Sequence, residues 1–163
     1  DGQALYTSSL DHAPGDVMGG SGIARRGDSP AARMPLGPPT ALPPGFRVST
    51  TVRGRVLMTD TRYSVYQSEA DPANKSNCVG DCARTWLPIL APHSAQAQGE
   101  WTIIDRGTGV RQWAFRKKPL YTYVGDDSPG HQDGADVLGW SSVYTQVAPP
   151  APKGFTIQTG ING

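Results

Sequence analysis

Long apolar runs, cysteine and a surplus of charge of either sign are what this chain lacks, and each shortage removes a class of protein. No segment approaches the roughly 20 consecutive apolar residues that a membrane-spanning helix requires, so no transmembrane segment is expected. Fifteen Lys and Arg against 14 Asp and Glu leave a formal charge of +1, too weak a field to draw the chain to nucleic acid or an anionic lipid surface. Partners must therefore be recognised locally. The residues from Asp1 onward show neither the basic nor the apolar segment of a signal peptide, which leads to the expectation that any export signal has been removed or lies outside the sequence. Punctuation, by contrast, is abundant: 20 Gly and 15 Pro in 163 residues, with only 37% hydrophobic residues, exclude long helices and favour short strands joined by loops.

Internal repetition organises the chain. Leu5-Tyr6-Thr7-Ser8-Ser9-Leu10-Asp11-His12-Ala13-Pro14-Gly15 aligns without a gap on Leu120-Tyr121-Thr122-Tyr123-Val124-Gly125-Asp126-Asp127-Ser128-Pro129-Gly130, with six of 11 positions identical. A looser copy, Val65-Tyr66 followed by Asp71-Pro72, keeps the spacing of five between Tyr and Asp. A second pattern, Gly45-Phe46-Arg47-Val48, recurs as Gly154-Phe155-Thr156-Ile157. Such repetition signals stacked or symmetry-related supersecondary units. Residues 1–16 read as a partial unit with a terminal strand, 17–44 as a Gly/Pro-rich linker, 45–147 as one complete unit and 148–163 as the start of another. Within the complete unit, six short β-branched or aromatic runs read as strands: Arg55–Met58, Tyr63–Tyr66, Trp101–Ile104, Gln112–Phe115, Leu120–Tyr123 and Val143–Thr145. Asp105–Gly109 reads as a hairpin turn, and one short helix is expected from an N-cap at Asp81 to a point before Pro88. The fold class is all-β or β-dominated, built of short antiparallel strands, in a single domain with a long irregular N-terminal arm.

Taken in order, Gly54 through Asp60, the step from Tyr66 to Asp71, Cys78-Val79-Gly80-Asp81-Cys82-Ala83, Trp86 with Pro88, Gln112-Trp113-Ala114, Pro119-Leu120-Tyr121 and the stretch from Asp126 to Gly139-Trp140 resemble the secreted-repeat family of predicted bacterial lipoproteins, whose activity is not established. The resemblance covers roughly residues 54–145 and implies export to the periplasm or cell surface. In that setting Cys78 and Cys82, the only cysteines, are expected to bond to each other, with Gly80 supplying the backbone freedom. The competing reading is a soft metal site in which Cys78, Cys82, His93 and Met58, with Met34 in reserve, ligate copper.

Other signals point to structure. The acidic loop from Asp126 to Asp136 offers oxygen ligands for Ca²⁺ but lacks the EF-hand spacing, so it reads as a solvated turn whose Asp side chains accept backbone hydrogen bonds. The repeat tyrosines Tyr6, Tyr66 and Tyr121 read as core strand residues, each with the Asp five positions on, Asp11, Asp71 and Asp126, as candidate partner for its hydroxyl. Trp86, Trp101, Trp113 and Trp140 are expected to be mostly buried. Ser21 in a Gly-rich linker lacks the surroundings of a nucleophile, and Arg116-Lys117-Lys118 reads as a solvated strand end.

These readings converge on a non-enzymatic, exported structural or interaction subunit without a resident cofactor, which self-associates or docks on a larger envelope assembly. The alternatives are a small copper-handling or redox protein and, more remotely, an extracellular hydrolase. The terminal repeats add that Leu5-Tyr6-Thr7 and Phe155-Thr156-Ile157 should share one sheet or interface, with closure inside one chain preferred over contact between copies because of its higher effective concentration.

Overall fold

A computed structural model describes residues 40–51, 53–107, 109–150 and 153. The expected contact between Leu5-Tyr6-Thr7 and Phe155-Thr156-Ile157 falls outside the described residues, as do Ser21, Met34 and the pair Tyr6 and Asp11.

The described residues fold into ten short strands, one helical turn of α type and one of 3-10 type. β1 (Phe46–Thr51) and β2 (Gly54–Thr59) form a hairpin, followed by β3 (Tyr66–Ser68), α1 (Asp81–Thr85) and β4 (Trp86–Pro88). A second hairpin, β5 (Trp101–Asp105) with β6 (Arg111–Phe115), leads to β7 (Lys118–Pro119), β8 (Tyr121–Tyr123), the 3-10 turn Asp133–Asp136, β9 (Trp140–Ser142) and β10 (Tyr144–Val147). They assemble into three antiparallel sheets ordered β1-β2-β10, β4-β8-β3-β9 and β5-β6-β7. The β-dominated class expected from composition is the one observed. Three boundaries differ. Residues Tyr63 to Val65 lie before β3, bonded to β2 by an isolated bridge between Ser64 and Met58 and by single backbone hydrogen bonds. Gly80, at φ 58°, occupies the N-cap and Asp81 the first helical position. Trp86–Pro88 is extended, because it pairs with β8 in the register Trp86 to Tyr123 and Pro88 to Tyr121.

The stretch expected to be one complete unit contains two copies of the same fold, residues 46–91 and 101–147. The backbone hydrogen bonds establish the equivalence. Val65 N donates to Leu57 O (3.1 Å), Leu57 N to Val143 O (2.7 Å) and Val143 N to Val65 O (2.9 Å), closing a ring of three strands. Leu120 N donates to Trp113 O (3.0 Å), Trp113 N to Ile89 O (2.9 Å) and Ile89 N to Leu120 O (2.9 Å), closing an identical ring. Leu57 thus corresponds to Trp113, Val65 to Leu120 and Ile89 to Val143. The third member of each ring comes from the other half, so the halves have exchanged their last strands.

A local two-fold relates them, and three pairs of equivalent residues meet on it. Phe46 packs on Trp101 with ring centroids 4.7 Å apart, Tyr66 faces Tyr121 in the register of β3 and β8, and Trp86 stacks on Trp140. Around these the core collects Leu57, Val65, Trp113, Phe115, Leu120 and Val143, all buried. Each such side chain contributes about 1.5–3 kcal/mol on burial. Three of the four tryptophans, Trp86, Trp101 and Trp113, are buried as expected, and Trp140 is half-buried. Gly54 shows how tightly β10 seats on β2: at φ 131°, a Cβ there would come within 2.0 Å of Gln146 O, which only glycine avoids.

Candidate functional site

The repeated tyrosines and aspartates form the most elaborate buried polar arrangement of the described residues. Sequence spacing pairs Tyr66 with Asp71 and Tyr121 with Asp126, and the structure corrects this. Tyr66 donates its hydroxyl hydrogen to Asp126 Oδ2 (2.7 Å), and Tyr121 donates to Asp71 Oδ2 (2.6 Å), so each tyrosine serves the aspartate of the other half. The reason is topological. β3 and β8 run antiparallel with Tyr66 opposite Tyr121, which carries each side chain toward the loop that follows its neighbour strand. The second oxygen of each carboxylate holds its own loop: Asp71 Oδ1 accepts from Asn77 N (2.6 Å), and Asp126 Oδ1 from Asp133 N (2.9 Å).

All four residues are buried. Burial, reinforced by the bonded carboxylate, raises the hydroxyl pKa of Tyr66 far above its ordinary value. The same two causes push Tyr121 up to about 12. Burial also raises Asp126, against the opposing pull of the Tyr66 hydroxyl and the loop amides. The arrangement is a pair of neutral donors on buried carboxylates, the strong class of charge-assisted bond. The loop expected to be a solvated turn is therefore anchored at one end by a buried Asp126, whose two oxygens both have protein donors, and only its later residues, such as Asp127 and Asp133, face solvent.

The disulfide loop packs beside this site. Cys78 and Cys82 are bonded, with Cα atoms 5.1 Å apart, and both lie in the cluster formed by Tyr66, Trp86 and Tyr121. Sulfurs bonded to each other are not thiolates, which removes the soft ligands of the copper reading. Met58 is buried in β2, and the exposed His93 lends its carbonyl to Arg111. Among the described residues no group of three or more His, Cys, Asp or Glu side chains is placed to hold a metal.

Arg106, Ser76 and Gln112 complete the arrangement and carry no motif that would have singled them out together. Arg106 donates to Ser76 Oγ (2.7 Å), Gln112 Oε1 (2.7 Å) and Cys78 O (2.6 Å), fastening the disulfide loop to β6. Ser76 Oγ lies 2.6 Å from the Tyr121 hydroxyl. Arg116 and Lys118, read as a solvated strand end, are likewise structural: Arg116 pairs with Glu100 and bonds the carbonyl of Thr145, while the Lys118 ammonium donates to backbone carbonyls of the loop after β3.

Fold and site together define a duplicated β unit whose halves are knit by exchanged strands and exchanged Tyr–Asp bonds. Residues 102–140 match the family described as a secreted repeat of unknown function, so the resemblance read from the sequence is shown over that stretch. The match spans most of the second half, and the structure shows the first half to be its topological copy. No curated protein and no solved structure matches the chain. No helix of the described residues is long and apolar enough to cross a membrane.

Proposed function

We propose that the protein is a non-enzymatic exported subunit whose repeats are association modules, joining the chain to further copies of itself or to a larger assembly of the cell envelope. The observation that carries this reading is the exchange: a half-unit supplies its tyrosine and last strand to a neighbour and receives the same in return. A half-unit so built has complementary surfaces for another half-unit, and it makes little difference to the chemistry whether the two share a chain. The sequence holds a further Leu-Tyr-x4-Asp motif at Leu5, Tyr6 and Asp11 and a further copy of the Gly45-Phe46-Arg47-Val48 pattern at Gly154-Phe155-Thr156-Ile157. By this reading, those elements meet each other or their counterparts in a neighbouring copy. Periplasm and cell surface both fit a secreted repeat, and no resident metal is required.

Sedimentation of the full chain over a hundredfold range of concentration tests the proposal, with Tyr6→Phe and Asp11→Asn as variants. Assembly that weakens in both variants supports association through the repeat. A chain that is monomeric throughout, and whose stability is untouched by either substitution, sinks it. Metal analysis of protein purified without chelator examines the cofactor part separately.

A further inference from the structure

The two halves treat one pair of equivalent places differently. Beside Asp71, the place is filled: the Lys118 ammonium donates to the carbonyl oxygens of Ser68 and Glu69 (3.4 Å each) and to that of Asp71, and the Gln67 amide closes over it onto Phe115 O (2.8 Å). The backbone identifies the counterparts beside Asp126. Arg62 and Lys117 both take positive φ (74° and 66°), and their carbonyls accept from Gly130 N (2.9 Å) and Asn74 N (2.6 Å) respectively. Tyr63 therefore stands where Lys118 stands, Thr122 where Gln67 stands, and Tyr123, Val124 and Asp126 where Ser68, Glu69 and Asp71 stand.

Beside Asp126 no ammonium is present, and a groove of about 500 Å³ opens instead. Its lining includes all five of these counterparts together with Asp127, and no Lys, Arg or His. The carbonyl oxygens of Val124 and Asp126 accept no hydrogen bond from the described residues. The hydroxyls of Tyr63 and Thr122 are also without a protein partner among them. Asp127 adds a carboxylate, one oxygen of which also meets His131 Nδ1 at 3.0 Å, and Tyr63 and Tyr123, the latter with one face stacked on Trp86, add aromatic rings; carboxylate and ring both attract a cation.

We infer that this groove binds a primary ammonium group, supplied by a lysine side chain of a partner polypeptide. The molecule itself holds a lysine at the equivalent place, against the equivalent backbone. Only the polypeptide source of the lysine rests on the docking reading proposed above; the groove's choice of an ammonium stands on the comparison of the halves. Lys118 and Gln67 in one place and Tyr63 and Thr122 in the other make the difference between a filled contact and an open one.

The test titrates N-acetyl-lysine methylamide into the isotopically labelled full chain and follows the backbone amides by NMR. The norleucine analogue and butylammonium serve as comparison probes. Perturbation centred on Tyr63 and on residues 122–127 is expected, at least about tenfold stronger for lysine than for norleucine because the charge-assisted bonds are lost in the latter. Added salt should weaken it. Tyr63→Lys installs the side chain that fills the other half and should abolish binding. Should that variant fail to fold, Thr122→Gln, the counterpart of Gln67, should reduce binding by covering the groove. Equal response to lysine and norleucine, no response to any probe, or undiminished binding by the folded Tyr63→Lys or Thr122→Gln variant would overturn the inference. Butylammonium binding more tightly than the lysine derivative would overturn the polypeptide source. Neither variant touches Tyr6 or Asp11, so failure here and failure of self-association are read on separate measurements.

Discussion

Trp86 and Trp140 lie face to face, ring centroids 3.7 Å apart and planes 4° from parallel, at the point where the local two-fold leaves the sheet formed by β4, β8, β3 and β9. Each opens the exchanged strand of its half. Tyr66 meets Trp86 edge-on at 5.5 Å, and Tyr121 meets Trp140 the same way at 5.1 Å, so four rings form one symmetric cluster over the Tyr–Asp bonds. Gly134 is pressed against it, since a Cβ there would lie 2.8 Å from Tyr66 Cζ. Truncating Trp86 to alanine removes the buried member, and about 3–5 kcal/mol of stability should go with it. Trp140→Ala should cost less, because that ring is half-exposed. Urea unfolding measures both losses, and the exciton couplet of the stacked indoles in far-ultraviolet circular dichroism should vanish in either variant. A Trp86→Ala chain of unchanged stability would mean the cluster does not hold the halves together.

The exchanged bonds make a quantitative prediction about which residues are coupled. A double-mutant cycle of Tyr66→Phe with Asp126→Asn should return a coupling energy of about 0.5–3 kcal/mol, as should Tyr121→Phe with Asp71→Asn. The cycle of Tyr66→Phe with Asp71→Asn should couple less, although those two residues belong to one sequence motif. Each single tyrosine variant leaves a buried carboxylate short of a donor and should lose about 1–3 kcal/mol by itself. The reverse pattern of couplings would contradict the exchange.

How much of this is legible in the sequence depends on what local patterns encode. Strand composition locates β2, β5, β6 and β8, because β-branched and aromatic runs bounded by turns depend only on near neighbours. The Tyr-to-Asp spacing singles out four residues that prove to be buried and bonded. It assigns them the wrong partners because a spacing of five says nothing about which strand lies alongside, and pairing of β3 with β8 sends each hydroxyl across the axis. The duplication within 45–147 is hidden for a related reason. Phe46 aligns with Trp101 and Leu57 with Trp113, so along the first two strands of each half equivalence survives in hydrogen bonding and not in residue identity. Arg106 is invisible as a site residue, since an arginine in a hairpin turn is ordinarily solvated, and only the folded chain brings Ser76, Cys78 and Gln112 to it.

The bond between Cys78 and Cys82 closes a small ring, so its contribution to stability should be modest and local. The loop-entropy relation gives about 2 kcal/mol for a ring of this size. Cys78→Ser with Cys82→Ser should therefore lower the unfolding free energy by about that amount while far-ultraviolet circular dichroism keeps its β signature. Hydrogen exchange should quicken at residues 76–86, where Arg106 and Tyr121 hold the loop, and remain slow in β2 and β6. Thiol titration of the native protein should give no free sulfhydryl. Global unfolding on reduction would show that the ring constrains far more than its own loop.

Alkaline pH should weaken the bonds by which the two tyrosines join the halves. Tyr121 ionises at the ordinary value of 10.0 when unfolded and at about 12 when folded, chiefly because burial opposes the phenolate and then because the Asp71 carboxylate does. Below pH 10 both states hold the proton, and the contribution to stability is complete. Between pH 10 and 12 the unfolded chain loses the proton while the folded chain keeps it, so the unfolded state binds fewer protons and stability falls as pH rises. A rise from 10.0 to about 12 corresponds to about 2–3 kcal/mol lost over that interval. Tyr66, raised by the same causes, adds to the loss with the same sign. Urea midpoints measured from pH 8 to 11.5 should fall steeply above pH 10 in the parent and more shallowly in Tyr121→Phe, which has no proton to lose. The phenolate absorbance assigned by difference between those two proteins should appear only on unfolding. Parallel pH dependence in parent and variant would show that the Tyr121 hydroxyl is not held in the buried bond to Asp71.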